Sequence, residues 1–187
     1  LELVARCQQG DTAAFNELVT RYRTKIFTMI YNMVHNEQDA WDLAQEGFFK
    51  AWKSIGKFRG QSSFYTWLYR IAMNLSIDWV RKRQIEGGTE FDDSMAMRVE
   101  PGAATSPAAI SQPHEKMHRD EIRSRIQEAI ARLSPEHRSA ILMREMEGMQ
   151  YEEIAAAQEC SLGTVMSRLF YARKKLQTML KDLYENR

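Results

Sequence analysis

The chain has 187 residues, of which 44% are apolar and 27% charged, enough to bury a real core in one large or two small domains. That balance excludes a chain disordered throughout, and no run approaches the ~18 apolar residues that a membrane span needs. The formal net charge of +1 hides an uneven distribution: Arg168, Arg173, Lys174, Lys175 and Lys181 crowd the last helix, while Glu86, Glu90, Asp92, Asp93 and Glu100 face only Arg98 in the middle. Cys7 and Cys160 are too few and too far apart for a disulfide framework, so a reduced cytoplasm is expected. Glu2 and Arg6 interrupt the apolar residues at the start, against a secretory leader.

In chain order, residues 1–9 read as a short amphipathic helix closed by Gly10, and Asp11 is placed to cap the next. Phe15, Leu18, Val19, Tyr22, Ile26, Ile30 and Val34 recur at three- and four-residue steps, one buried stripe on a long helix. After the HNEQD turn comes DAWDLAQEGFFKAWKSI. Its apolar face is Trp41, Ala44, Phe48, Trp52 and Ile55, wide enough for core and partner. Asp39, Asp42, Gln45 and Glu46 form an acidic and amide face near its start, where the helix dipole favours negative charge.

The segment FRGQSSFYTWLYRIAMN then opens on a loop that Ser62 or Ser63 can close as a helix cap. Phe58, Phe64, Tyr65, Trp67 and Tyr69 interleave with Arg59 and Arg70, and Asn74 follows a turn later. Rings on which bases stack, arginines for phosphate and an amide for a base edge suit single-stranded DNA. The competing reading is that these rings fill the core of a small helical domain, and for Trp67 and Tyr69 both readings can hold.

Over 84–112 the periodicity stops, in a stretch of paired glycines, prolines, small residues and acids that reads as an inter-domain linker. Helices resume near Glu115 with a stripe of Ile122, Ile126, Ala129, Ile130 and Leu133. Ser134-Pro135-Glu136 is a start signal for a helix that ends at Gly148. Tyr151 to Lys175 reads as a short helix, a tight turn holding Cys160, and a longer basic helix capped by Ser161. Ile154 and Ala155 are expected to face inward, with Ala155 at the helix crossing, and Val165 and Leu169 supply the second helix's buried stripe. Thr164, Ser167, Arg168, Tyr171, Lys174 and Lys175 remain for the open face, the make-up of a major-groove reader, against the plainer reading of a helical hairpin with a solvated basic face. No sustained alternation marks a strand, so the expected fold is all-α: two small helical domains on a flexible linker, the C-terminal one a helix-turn-helix.

His114-Glu115-Lys116-Met117-His118 matches the HExxH pattern of zinc hydrolases. Its place where a proline-bearing linker meets a highly charged helix start argues against a buried metal site. His35 and His137 stand alone, as surface or cap residues. Neither catalytic residues, a metal nor a cofactor are expected.

Three separated segments, DLAQEGFFKAW, FRGQSSFYTWLYRIAMN and YEEIAA…C…GTVMSRLF…AR, occur in the order found in one family. The chain resembles the sigma factors of bacterial RNA polymerase, of the extracytoplasmic-function group, over nearly its whole length apart from the linker. The resemblance implies that residues 1–83 are region 2, a promoter-melting domain. There Asp42, Gln45 and Glu46 match positions that dock on the clamp helices of the polymerase's largest subunit. Phe58, Trp67 and Asn74, beside Arg59, match the pocket for a base flipped out of the minus-ten element. It implies a linker over 84–114 and region 4 over 115–187. In region 4, Thr164, Ser167, Arg168, Phe170 and Arg173 fall on the helix that faces the minus-thirty-five duplex. Met166 and Tyr171 stand where close relatives often carry arginine, and Gln158 where an apolar residue often packs. The implied partners are core RNA polymerase, promoter DNA and an anti-sigma factor. ATP is not implied, since binding energy drives opening in that family.

Overall fold

The computed structural model describes residues 2–86 and 113–185, and the side chains of these apart from 113–119 and 184–185. The described residues are helical, with no strand among them. Helix α1 (Glu2–Gln8) ends in a turn where Gly10 adopts φ +91°, and Asp11 caps α2 (Thr12–Val34) by accepting the Ala14 amide at 3.0 Å. Asn36 caps α3 (Glu37–Ser54), so the expected five-residue turn shrinks to His35 and Asn36. A 3-10 turn at Ile55–Lys57 leads into the loop before α4 (Phe64–Glu86), where Ser63, rather than Ser62, accepts the Thr66 amide.

Helices α2, α3 and α4 pack as a bundle with α1 across one end. The expected α2 stripe is buried at Phe15, Leu18, Ile26, Ile30 and Val34, joined by Met29 and Met33, while Val19 and Tyr22 are half-buried. Gly47 of α3 lies against α4: a methyl built there would sit 3.5 Å from the Ala72 methyl, a close crossing with little room for a larger side chain.

The second body comprises α5 (Pro113–Ala131), α6 (Pro135–Ile141), α7 (Tyr151–Ala157), α8 (Leu162–Met179) and α9 (Lys181–Glu185). Ser134 and Pro135 start α6 as expected, with the Ser134 hydroxyl accepting the His137 amide. The helix does not continue regularly to Gly148. Its last part, Leu142–Met146, widens into a π-helical turn before Gly148 at φ +65°. The stripe expected over 122–133 is only partly interior: Ala129 on α5 and Leu133 just beyond it are buried, whereas Ile126 is exposed.

The two bodies are packed together. Their buried residues form one continuous core, in which Met33 and Val34 of α2 and Tyr69 of α4 join Ile141, Leu142 and Met143. Polar contacts cross the same seam. The Tyr65 hydroxyl donates to Glu147 at 2.7 Å, Arg81 pairs with Glu136 at 2.5 Å, and Arg70 donates to the Ala156 carbonyl at 3.0 Å. Arg138, 6% exposed, donates to the carbonyls of Met33, Ala131 and Leu133. The linker reading at 84–114 falls almost wholly outside the described residues, except that α4 runs on to Glu86 and α5 begins at Pro113. The side chains of His114, Glu115 and His118 are likewise outside them.

Candidate nucleic-acid interface

The helix pair α7–α8 is built from its caps outward. Glu153 accepts the Gln150 amide at 2.8 Å to start α7, and the turn at 158–160 closes with Glu159 at φ +50°. Ser161 then caps α8, accepting the Thr164 amide at 3.1 Å. Val165, Leu169 and Ala172 are buried along one side of α8 and Ile154 on α7. The small residue wholly enclosed on α7 is Ala157, 1% exposed, whereas Ala155 is half-buried, so the inward position lies two residues later than expected.

The open side of α8 carries Ser167, Phe170, Arg173 and Lys174, with Thr164 half-buried at its start. Ser167 donates to the Thr164 carbonyl, which turns its hydroxyl back on the helix. Arg168 is not loose: it donates to the Gln158 side-chain oxygen at 2.7 Å and lies 3.6 Å from the Cys160 sulfur. Gln158 in turn donates to the Ser139 hydroxyl at 2.6 Å and the Glu136 carbonyl at 3.2 Å. An amide standing where an apolar residue was expected thus holds a charged side chain at the edge of the open face. Arg173 is paired with Glu145 at 2.7 Å, which raises its pKa.

A second polar surface surrounds the start of α4. Trp67 lies 5.3 Å from Phe58 and 5.8 Å from Phe64 between ring centroids, in one aromatic cluster. Phe58 is 8% exposed and forms the floor of that cluster, Trp67 is half-buried, and Arg59 is exposed on the loop above. Gln8 of α1 fixes the loop by donating to the Ile55 and Phe58 carbonyls. Asn74 is half-buried on α4, and among the described residues its amide has no hydrogen-bond partner. Tyr69, read as both core and reader, is wholly buried and belongs to the core.

The third surface is on α3. Asp42, Gln45 and Glu46 are all exposed, and Glu46 pairs with Lys50 at 3.0 Å. Asp39 is turned instead to Arg83 of α4, at 2.9 Å. Trp41 and Phe49 are 45% and 55% exposed beside them, with Trp41 stacked on Phe27 at 4.1 Å. Phe49 was missed in the sequence, although it lies four residues after Gln45 and so on the same helix face. Among the described residues no cluster of three His, Cys, Asp or Glu side chains could hold a metal, and both cysteines are free. No helix among them is long and apolar enough to cross a membrane.

Residues 18–85 match the Sigma-70 region 2 family and residues 123–176 the Sigma-70 region 4 family. The chain is 40% identical over 185 residues to the RNA polymerase sigma-H factor of Pseudomonas aeruginosa, covering 97% of this chain and 94% of that protein. It is also 40% identical over 182 residues to the ECF RNA polymerase sigma-E factor of Escherichia coli K12, with the same coverage of each. The chain belongs to the extracytoplasmic-function group of the sigma-70 family. The sigma factor's fold is similar to that of the sigma factor RpoE in complex with the anti-sigma factor NepR from Bartonella quintana. The TM-score is 0.64 at 28% identity, over 89% of this chain and 96% of that one. CnrH, in complex with the cytosolic domain of CnrY, shares the fold at a TM-score of 0.65 and 23% identity, covering 96% of each chain. Helices α2–α4 therefore fall in region 2 and the α7–α8 pair in region 4, and the sigma factor serves promoter-specific transcription initiation.

Proposed function

We propose that this sigma factor grips one promoter at two places while docked on core RNA polymerase, and has no catalytic centre of its own. Residues 1–83 act as the melting domain and residues 115–187 as the duplex-binding domain, with 84–114 as the tether. Asp42, Gln45 and Glu46 on α3 dock on the clamp helices of the largest polymerase subunit, and the exposed rings of Trp41 and Phe49 supply apolar area beside them. The open side of α8 enters the minus-thirty-five major groove with Thr164, Ser167, Arg168, Phe170 and Arg173.

The observation that carries the minus-ten half is the aromatic cluster at the start of α4, with Asn74 two helical turns on from Trp67. A rigid Trp67 ring is backed by Phe58 and Phe64, and Asn74 on the same helix has an uncommitted amide. Extruding a base costs a few kcal/mol, and stacking on a held ring together with an amide on the base edge offsets that cost. Phe58 supports the ring from beneath, and Arg59 meets the strand's phosphate. An anti-sigma factor is the proposed regulator, in keeping with the Bartonella quintana complex.

The test uses the full chain assembled with core polymerase on a promoter obtained from a library. Asn74→Ala is expected to reduce the reactivity of unpaired minus-ten thymines while leaving the upstream footprint nearly intact. Equal loss of both would remove the flipped-base role. Arg168→Ala is expected to weaken upstream binding by ~1–3 kcal/mol, and an unchanged footprint would take Arg168 out of the interface.

A further inference from the structure

We infer that Met166 and Tyr171 read thymine methyl groups in the upstream duplex, so that this sigma factor recognises part of its minus-thirty-five element by apolar contact. The inference rests on the reading of α8 as the duplex-facing helix. Of the nine large apolar side chains left strongly exposed among the described residues, four are on α8: Leu162, Met166, Phe170 and Tyr171, at 38, 50, 60 and 59%. The core does not explain them, because an adjoining face of α8, lined by Val165, Leu169 and Ala172, already fills the interior. Leu162, Met166 and Phe170 recur every fourth residue and so make one row, and the Tyr171 ring adjoins that of Phe170 at 5.3 Å.

What covers this row is indicated by charge. The sequence of α8, LGTVMSRLFYARKKLQTM, holds four basic residues and no carboxylate, and exposed Lys174 and Arg173, the latter paired with Glu145, lie beside the row. A polyanion complements such a helix. The one apolar group that a major groove presents is the C5-methyl of thymine. Met166 is unbranched and adaptable enough to settle on a methyl, and the Tyr171 ring offers a flat apolar edge. Neither carries a charge for phosphate, so the same two positions contribute nothing to the electrostatic part of binding.

The experiment uses the full chain in complex with core polymerase, bound to a library-selected promoter. Each upstream thymine is replaced in turn by deoxyuridine, which removes the methyl alone. The expected result is a loss of upstream affinity of about fourfold at one or two positions, the value of one buried methyl. Met166→Ala should make one of these positions indifferent to uracil and Tyr171→Ala the other. Met166→Arg should steepen the logarithmic salt dependence by about one unit. Circular dichroism melts check that the variants fold. Equal binding of uracil and thymine, or selection of an upstream element without thymine, overturns the inference while leaving α8 as a duplex reader. So does a Met166→Ala variant that loses polymerase but keeps its uracil sensitivity, which makes the row a protein contact. Absence of any upstream protection, with the minus-ten element still opened, defeats the duplex reading itself and this inference with it.

Discussion

Arg138 lies near enough to His35, at the seam between the two bodies, for its charge to act on the imidazole. Three carbonyls from two helices and a loop depend on the Arg138 guanidinium. Burial lowers its pKa to about 10, still well above neutrality, so it remains charged inside. Arg138→Met keeps the length of the side chain but strands those carbonyls, and a loss of about 2–4 kcal/mol in unfolding free energy is expected by denaturant titration. Burial, and then the Arg138 charge, press the His35 imidazole down to about 4 from 6.5. Between those two values the unfolded chain takes up a proton that the folded chain refuses. Stability is therefore lost as pH falls from about 6.5 and the contribution is gone below about 4. A shift of that size amounts to about 3 kcal/mol. His35→Asn tolerates the left-handed backbone at φ +55° and should flatten this part of the pH–stability curve, measured by melts from pH 4 to 7. The sequence leaves His35 as a surface or a cap residue, and the structure makes it the cap of α2, its amide donating to the Tyr31 carbonyl. Nothing local in PEHRSAILM announces that Arg138 will be interior, because its carbonyl partners include one 105 residues away.

Among the elements, the helices and their caps were legible because they depend on near neighbours. Asp11, Ser134 and Ser161 each accept an amide three residues on, and periodicity placed the α2 and α8 stripes correctly. What local pattern could not supply was which turn of a helix is squeezed. The enclosed alanine of α7 is Ala157 rather than Ala155, and the end of α6 widens into a π-helical turn. Gln158 is the instructive case, since its environment includes Ser139, Glu136 and Arg168 on two other helices. Its role as an anchor predicts a specific outcome. Gln158→Met should leave the fold intact but free the Arg168 guanidinium, weakening upstream duplex binding by about 1 kcal/mol in a titration of the polymerase complex. If Arg168→Ala is introduced first, the Gln158 change should then have no further effect on binding.

At the scale of the molecule, the family resemblance was readable because three motifs in fixed order carry it, while the packing of the two bodies was not. The seam draws on Tyr65 and Arg70 of α4, whose local setting suggests DNA contact, and on Arg81 further along the same helix. Burial, and then the Glu147 carboxylate to which it donates, raise the Tyr65 pKa, a sign of how far this hydroxyl is committed to the seam. Charge reversal by Arg81→Glu places two carboxylates together at Glu136 and should loosen the pair of bodies, seen as a larger radius of gyration in X-ray scattering of the full chain. An unchanged radius would mean that the apolar part of the seam suffices alone. The central claim concerns what the two bodies do together on a promoter. Its most direct measurement is transcription by core polymerase supplied with the purified chain and a promoter library. The account requires RNA from a subset of promoters that share an upstream and a minus-ten element; failure of the chain to join the polymerase, or a complex that starts no RNA, would contradict it.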